Sequence, residues 1–301
     1  MIKSITVTNY LGDSLKLELA RPERSGLAIT SITGLGPGKA NINTTELSTT
    51  DGGLYNSARV PVRNIVISLR YLWYNTIEEA RHLSYRYFPL KQKLTLRIET
   101  DMRTAEIEGY VESNDPTIFS NAEGTDISII CPNPFFYSAE KNITVFSGIE
   151  PMFEFPFSNE ALTAPMLEMG DIQNSTDRII YYDGDAETGV IITIHAFGEA
   201  TGIAIYNTGT RETMRLDTDK LEEFTGKGIT AGDDIIINTI PGSKSIRLIR
   251  EGVETNILNC LDRDSDWFKL VKGDNVFAYT AETGSTNLNF SIENNAVYEG
   301  M

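Results

Sequence analysis

Strict alternation of apolar and polar residues is the feature that most limits what this chain can become. Ile65, Ile67, Leu69 and Tyr71 alternate with Asn64, Val66, Ser68 and Arg70. Leu94, Leu96 and Ile98 alternate with Thr95, Arg97 and Glu99, and Ala105, Ile107 and Val111 with Thr104, Glu106 and Glu108. Successive side chains of a strand point to opposite faces, so a period of two predicts strands with one buried and one wet face. A mainly β fold follows.

One segment departs from that period. Asn75 supplies a cap with Glu78 three positions on, Ile77, Ala80, Leu83 and Tyr87 follow at helical spacing, and Pro89 stops the run. The first part is thus expected to be a β-sheet domain with one covering helix and a return strand pair over 93–99 and 103–111. After Pro132-Asn133-Pro134 short strands are expected at 143–147, 152–157, 190–197, 203–206, 211–217, 234–239, 245–250, 275–280 and 287–293. Turn pairs such as Asp183-Gly184, Gly232-Asp233, Pro241-Gly242 and Glu251-Gly252 separate them, which is the punctuation of a β-sandwich. With 301 residues the chain divides naturally in two, at residues 1–135 and 136–301.

Charge is spread unevenly. Residues 1–140 carry 14 Lys/Arg against 16 Asp/Glu and residues 141–301 carry 12 against 26, together the formal net charge of −16. An acidic half repels phosphates and anionic lipid, so neither nucleic acid nor a membrane surface is an expected partner. The near-neutral half can pack against copies of itself with little repulsion. No run approaches the roughly 18 apolar residues of a membrane span, and the alternating start (Ile2, Ile5, Val7) does not read as a signal peptide. Cys131 and Cys260 are too few and too distant in sequence for a disulfide scaffold, so two unpaired thiols are expected.

Motifs that could carry chemistry fall short on inspection. Gly34-Leu35-Gly36-Pro37-Gly38-Lys39 resembles a phosphate loop, but Thr33 and Ala40 stand where a glycine and a hydroxyl are needed, so a strand connection is expected. Asp262-Arg263-Asp264-Ser265-Asp266 opens like a calcium loop, yet Trp267 occupies the turn position and Gly273 the place of the bidentate glutamate. That stretch, and the acids Asp183, Asp185, Glu187, Asp233 and Asp234, read as solvated turns. His82 and His195 have no zinc or nucleophile motif beside them, and neither cysteine has basic neighbours. Trp73 and Trp267 are the best candidates to stack on a sugar, but both close or open strands and read as packing residues. No catalytic, cofactor-binding or metal-binding residue is assigned, and no cofactor is expected.

The order of segments in the second half resembles the distal tail (Dit) protein family of tailed phages, also called the phage tail component family. The segments are Tyr182–Asp185, Gly189–Ile194, Gly202–Asn207, Ala231–Asn238 with Pro241–Lys244, Ser265–Leu270 with Gly273–Asn275, Leu288–Ile292, and Val297–Gly300. In the first half the similar stretch runs from Gly52–Tyr55 to Arg63–Ile65, so the resemblance spans roughly 30–130 and 180–300. It implies a ring-forming N-terminal domain assembled as a hexamer and a galectin-like β-sandwich outside it. It further implies the tail tube protein and tail-tip hub protein as partners, with receptor-binding proteins anchored on the ring. The location implied is the virion tail tip, after synthesis in the host bacterial cytoplasm. On this reading the chain is structural and not an enzyme, and Arg59, Arg63 and Arg70 are candidate interface residues because they lie on or beside a long strand of the near-neutral half. A carbohydrate-binding adhesion module is the second reading, and a glycan hydrolase using paired carboxylates the third.

Overall fold

The computed structural model describes residues 1–48, 51–72, 76–119, 122–150, 171–174 and 177–301. The chain forms two compact units, one of Met1–Glu140 with Val297–Met301 and one of Lys141–Ala296. The strand expected at 152–157, the cap at Asn75 and the packing of Trp73 lie outside the described residues.

The first unit holds a main sheet, a separate two-stranded hairpin and a helix. β1 (Ile2–Thr8) and β2 (Ser14–Glu18) make a hairpin, followed by β3 (Leu27–Thr33), β4 (Asn41–Glu46), β5 (Gly53–Arg59) and β6 (Arg63–Tyr71). The helix α1 (Ile77–Tyr87) precedes β7 (Lys93–Thr100), β8 (Thr104–Thr117) and β9 (Gly124–Cys131), and β10 (Phe136–Val145) begins here. Antiparallel pairing gives the order β2-β1-β7-β8-β9-β6-β3. The 14-residue β8 serves three neighbours: up to Tyr110 it pairs with β7, at Ala105 and Glu106 also with β10, and from Tyr110 on with β9. A register shift between Val111 and Ser113 re-aims the strand where the partners change, as a bulge does.

The alternation seen in the sequence is the inside–outside pattern of this sheet. Ile65, Ile67, Leu69, Leu94, Leu96, Ile98, Ala105, Ile107 and Val111 are all buried, whereas Arg70, Arg97 and Glu108 are exposed. Each fully buried aliphatic side chain contributes about 1.5–3 kcal/mol. The ion pairs Lys16–Glu99 and Arg97–Glu106 on the wet face are exposed and contribute about 0–1 kcal/mol each. The apolar face dominates.

α1 is capped by Thr76, its Oγ1 accepting from the Glu79 amide at 3.2 Å. Ala80 and Ser84 form the buried face, and the Ser84 hydroxyl lies 3.4 Å from the Tyr71 hydroxyl.

The second unit opens with β11 (Ser147–Glu150) paired to β12 (Asp171–Asn174). β13 (Asp177–Tyr182), β14 (Ile191–Ala196), β15 (Ile203–Asn207) and β16 (Glu212–Leu216) lead to a second helix, α2 (Thr218–Thr225). β17 (Asp234–Asn238), β18 (Ser245–Arg250), β19 (Val253–Asn256), β20 (Gly273–Thr280) and β21 (Leu288–Tyr298) complete it. One layer runs β19-β18-β17-β14-β21 and the other β13-β20-β15-β16. Tyr279 of the second layer stacks on Phe290 of the first at 3.8 Å between centroids. This is the expected sandwich.

Several features of this unit went unread in the sequence, the short strands β12 and β19 among them. β13 precedes the Asp183-Gly184 turn, where only the turn was noted. α2 is eight residues, too short for periodicity to announce it, though Asp217 caps it by accepting from the Lys220 amide and Gly226 closes it at φ +77°. Asp233 is a correction: it is no solvated turn tip but is 1% exposed and ion-paired to Arg250.

Candidate functional site

The hairpin of β4 and β5 departs from everything else in the first unit. The two strands pair with each other from Asn41↔Arg59 to Glu46↔Gly53 and belong to a sheet of their own. Every residue of both is exposed. At about 3.4 Å per residue the pair reaches on the order of 20 Å. Ile42, Leu54 and Tyr55 keep about 60% of their surface in water (63%, 60% and 62%). A two-stranded ribbon is marginal in water by itself, and apolar side chains with free strand edges are what sheets use to bind other chains. The hairpin has the form of an arm. Its sequence signals were the Gly52-Gly53 turn and the polar–apolar start at Asn41-Ile42, both too brief to read as strands.

The three arginines go to different places. Arg59 is exposed at the end of β5 and Arg70 exposed on the wet face of β6. Arg63 is a correction: as the first residue of β6 it faces inward and is 6% exposed. Its Nε donates to the Pro134 carbonyl at 2.6 Å, Nη1 to the carbonyls of Gly34 and Gly36, both at 2.6 Å, and Nη2 to that of Glu299 at 2.7 Å. The guanidinium rests on the Phe136 ring, 4.7 Å from its centre. Burial pulls its pKa below the usual arginine value, but four carbonyls solvate the charge in place of water. The alternation around Ile65 extends back to Arg63 and places it on the inner face, which is the signal that could have found it.

These contacts also decide the Gly34–Lys39 segment. A phosphate loop turns its amide hydrogens toward the ligand. Here two carbonyls of the loop converge on a cation instead, the opposite polarity. Gly34 has φ +85°, and a Cβ there would lie 2.1 Å from the Asn64 carbonyl oxygen, so the glycine serves a close backbone approach.

The remaining candidates are accounted for by neighbours in the fold. The Asp262–Asp266 stretch runs along the edge of β16: Asp262 N donates to Arg215 O at 2.9 Å and Asp266 N to Thr213 O at 2.8 Å, while Ser265 Oγ accepts from Arg215 N. It covers a strand edge that would otherwise be open. Among the described residues no group of three His, Cys, Asp or Glu is arranged to hold a metal ion. His195 pairs across the strands with Asp234 at 2.6 Å and carries Phe197 against its ring, and His82 is exposed on α1 beside Tyr85. Trp267 is half-buried with Lys244 Nζ 5.0 Å over its ring. Beside β15 and β16 an open groove of about 550 Å³ is lined by Tyr206, Arg215, Asp217, Asp262 and Glu282 among others.

Cys131 and Cys260 are free and buried. Burial pushes the Cys131 thiol up to about 11, and burial followed by the Asp217 charge raises that of Cys260. A thiol reagent is therefore expected to label neither at neutral pH until denaturant is added; rapid labelling of the native protein would contradict this packing.

A helix-covered sheet with a hairpin in a sheet of its own, followed by a β-sandwich, places the chain among two-unit, mainly β proteins. Residues 183–293 match the family described as siphovirus-type tail component, C-terminal domain. Over both units the chain resembles the distal tail protein Dit. It covers 98% of this chain and 99% of the SPP1 Dit protein at TM-score 0.66 and 12% identity, a protein described as a paradigm of the hub adsorption apparatus of phages infecting Gram-positive bacteria. A chain of the phage P2 baseplate in its activated conformation with Ca matches with TM-score 0.52 and 12% identity, over 97% of this chain and 98% of that one. At such identities the likeness is one of fold. No curated protein matches the sequence.

Proposed function

We propose that this chain is a structural distal tail protein. Six copies form a ring that joins the tail tube to the tail-tip hub and anchors host-recognition proteins at the far end of the virion tail, without catalysis. The arm carries this reading. It leaves a near-neutral unit, presents Ile42, Leu54 and Tyr55 to water, and offers two unpaired strand edges, which a neighbouring copy can cover. The tail-component domain over residues 183–293 and the Dit fold support it. Arg59, at the arm's base, and Arg70 stay candidates for the same interface.

The test is the oligomeric state of the purified protein. Light scattering and negative-stain imaging are expected to show six-membered rings, in isolation or on mixing with the tube or hub protein. A double substitution, Ile42→Asp with Leu54→Asp, changes only exposed side chains, so the monomer is expected to keep its melting temperature while ring formation is lost. Two unpaired charges desolvated in an interface cost several kcal/mol, enough for at least a hundredfold drop in assembly. Rings from the double variant at wild-type concentrations would remove the arm from the interface; monomers under every condition would end the ring reading.

A further inference from the structure

The root of the arm is built like a hinge and held like a weld. The chain enters through Gly34, Gly36, Pro37 and Gly38 and leaves through Val60-Pro61-Val62, with a cavity of about 290 Å³ between these stretches. Glycines give such a segment freedom, and neither side of the root belongs to the main sheet. Left alone, it would let the arm swing. Three contacts prevent this. Arg63 ties the carbonyls of Gly34 and Gly36 to that of Glu299 through one guanidinium. The Met301 amide donates to Leu35 O at 2.9 Å. Gly300 lies flat on the loop: a Cβ there would come 2.9 Å from Pro37 N and 3.0 Å from Gly36 C.

We infer that residues 299–301, held by Arg63 over the 34–38 loop, form a lock that sets the direction in which the arm leaves the sheet. These residues are positioning elements for assembly although none belongs to the arm. The acceptors of Arg63 are all neutral carbonyls, so the arginine acts as a fixed fork joining three chain segments, a role a lysine ammonium cannot fill with the same geometry. The consequence for assembly rests on the ring reading above; the lock itself does not.

The experiment compares full-length wild type with Gly300→Val, a deletion of residues 299–301, and Arg63→Lys. Hydrogen exchange is followed in the arm and in β7 and β8, with ring formation measured alongside. Arg63→Lys removes a buried anchor and can fail to fold, so Gly300→Val is the decisive variant. It is expected to raise arm exchange by about tenfold, as for loss of one or two hydrogen bonds, with β7 and β8 unchanged and ring formation reduced at least as much. Unchanged arm exchange in Gly300→Val and in the deletion overturns the lock. Raised exchange with wild-type ring formation overturns its role in assembly. If wild type forms no rings, the ring reading fails, and arm exchange alone decides whether the lock exists.

Discussion

Replacing Asp233 with alanine is expected to destabilise the second unit by about 3–5 kcal/mol, because it strands Arg250 in a place built for an ion pair. The Asp233 side chain is 2% exposed. Its Oδ1 accepts from Arg250 Nε at 2.8 Å, and its Oδ2 accepts from Arg250 Nη2 at 2.6 Å and from the Thr230 amide at 2.9 Å. Arg250 Nη2 also donates to the Gly228 carbonyl at 2.6 Å, so the pair fixes the turn that feeds β17 against the end of β18. A melting temperature lowered on the order of 10 °C is the expected result for a unit of this size. Replacing both partners, Asp233→Leu with Arg250→Met, is expected to recover most of the loss, since the penalty comes from the uncompensated charge rather than from absence of the pair. Equal losses in the single and double variants would refute this account.

The same pair sets a pH dependence. Burial alone would raise the Asp233 pKa, but the hydrogen bonds from Arg250 and Thr230 together with the arginine's charge outweigh it and hold the carboxyl below its usual value. A carboxyl depressed in the folded state adds stability that is fully present above its unfolded pKa of about 3.9 and is lost as pH falls through the folded value. Wild-type melting temperature is expected to drop below about pH 4, with a shallower drop in Asp233→Ala. Parallel curves would show that other carboxylates govern the acid limb.

The second large effect belongs to the loop that resembles a phosphate site. Gly34→Ala is expected to cost about 2–4 kcal/mol: about 1–2 for forcing a side chain into the left-handed region, the rest for displacing backbone. The added Cβ would meet the Asn64 oxygen at 2.1 Å and the Ile65 Cα at 3.1 Å, atoms of a central strand that cannot yield as a flexible side chain would. Two residues on, Gly36 has nothing within 4 Å of a Cβ and no positive φ, so Gly36→Ala is expected to stay within about 0.5 kcal/mol of wild type. Urea unfolding of the two variants makes the comparison. Similar losses in both would mean that the close approach to β6 is not what Gly34 is for.

The strands were legible where they have one wet and one dry face. Ile65–Tyr71 and Leu94–Ile98 could be placed because burial repeats every second residue. The strand at 245–250 coincides with β18, and the sandwich strands at 190–197, 203–206 and 234–239 match within about a residue or two. The arm was illegible for the same reason: with both faces exposed, β4 and β5 have no reason to alternate. Asp233 shows the opposite failure. An aspartate after glycine in a turn looks solvated until a partner 17 residues away is folded over it.

Strand periodicity, the helix over residues 77–87, the charge asymmetry between the halves and the poverty of reactive motifs could all be read along the chain. Each of these is a property of neighbours along the chain. Folding, by contrast, makes Arg63 an internal tie, sets β4 and β5 apart as an arm, and returns residues 299–301 to its root. The physical reason is distance in sequence. A guanidinium bonding carbonyls 27, 71 and 236 positions away leaves no local trace, because burial and hydrogen bonding are settled between segments that meet only once the chain has folded.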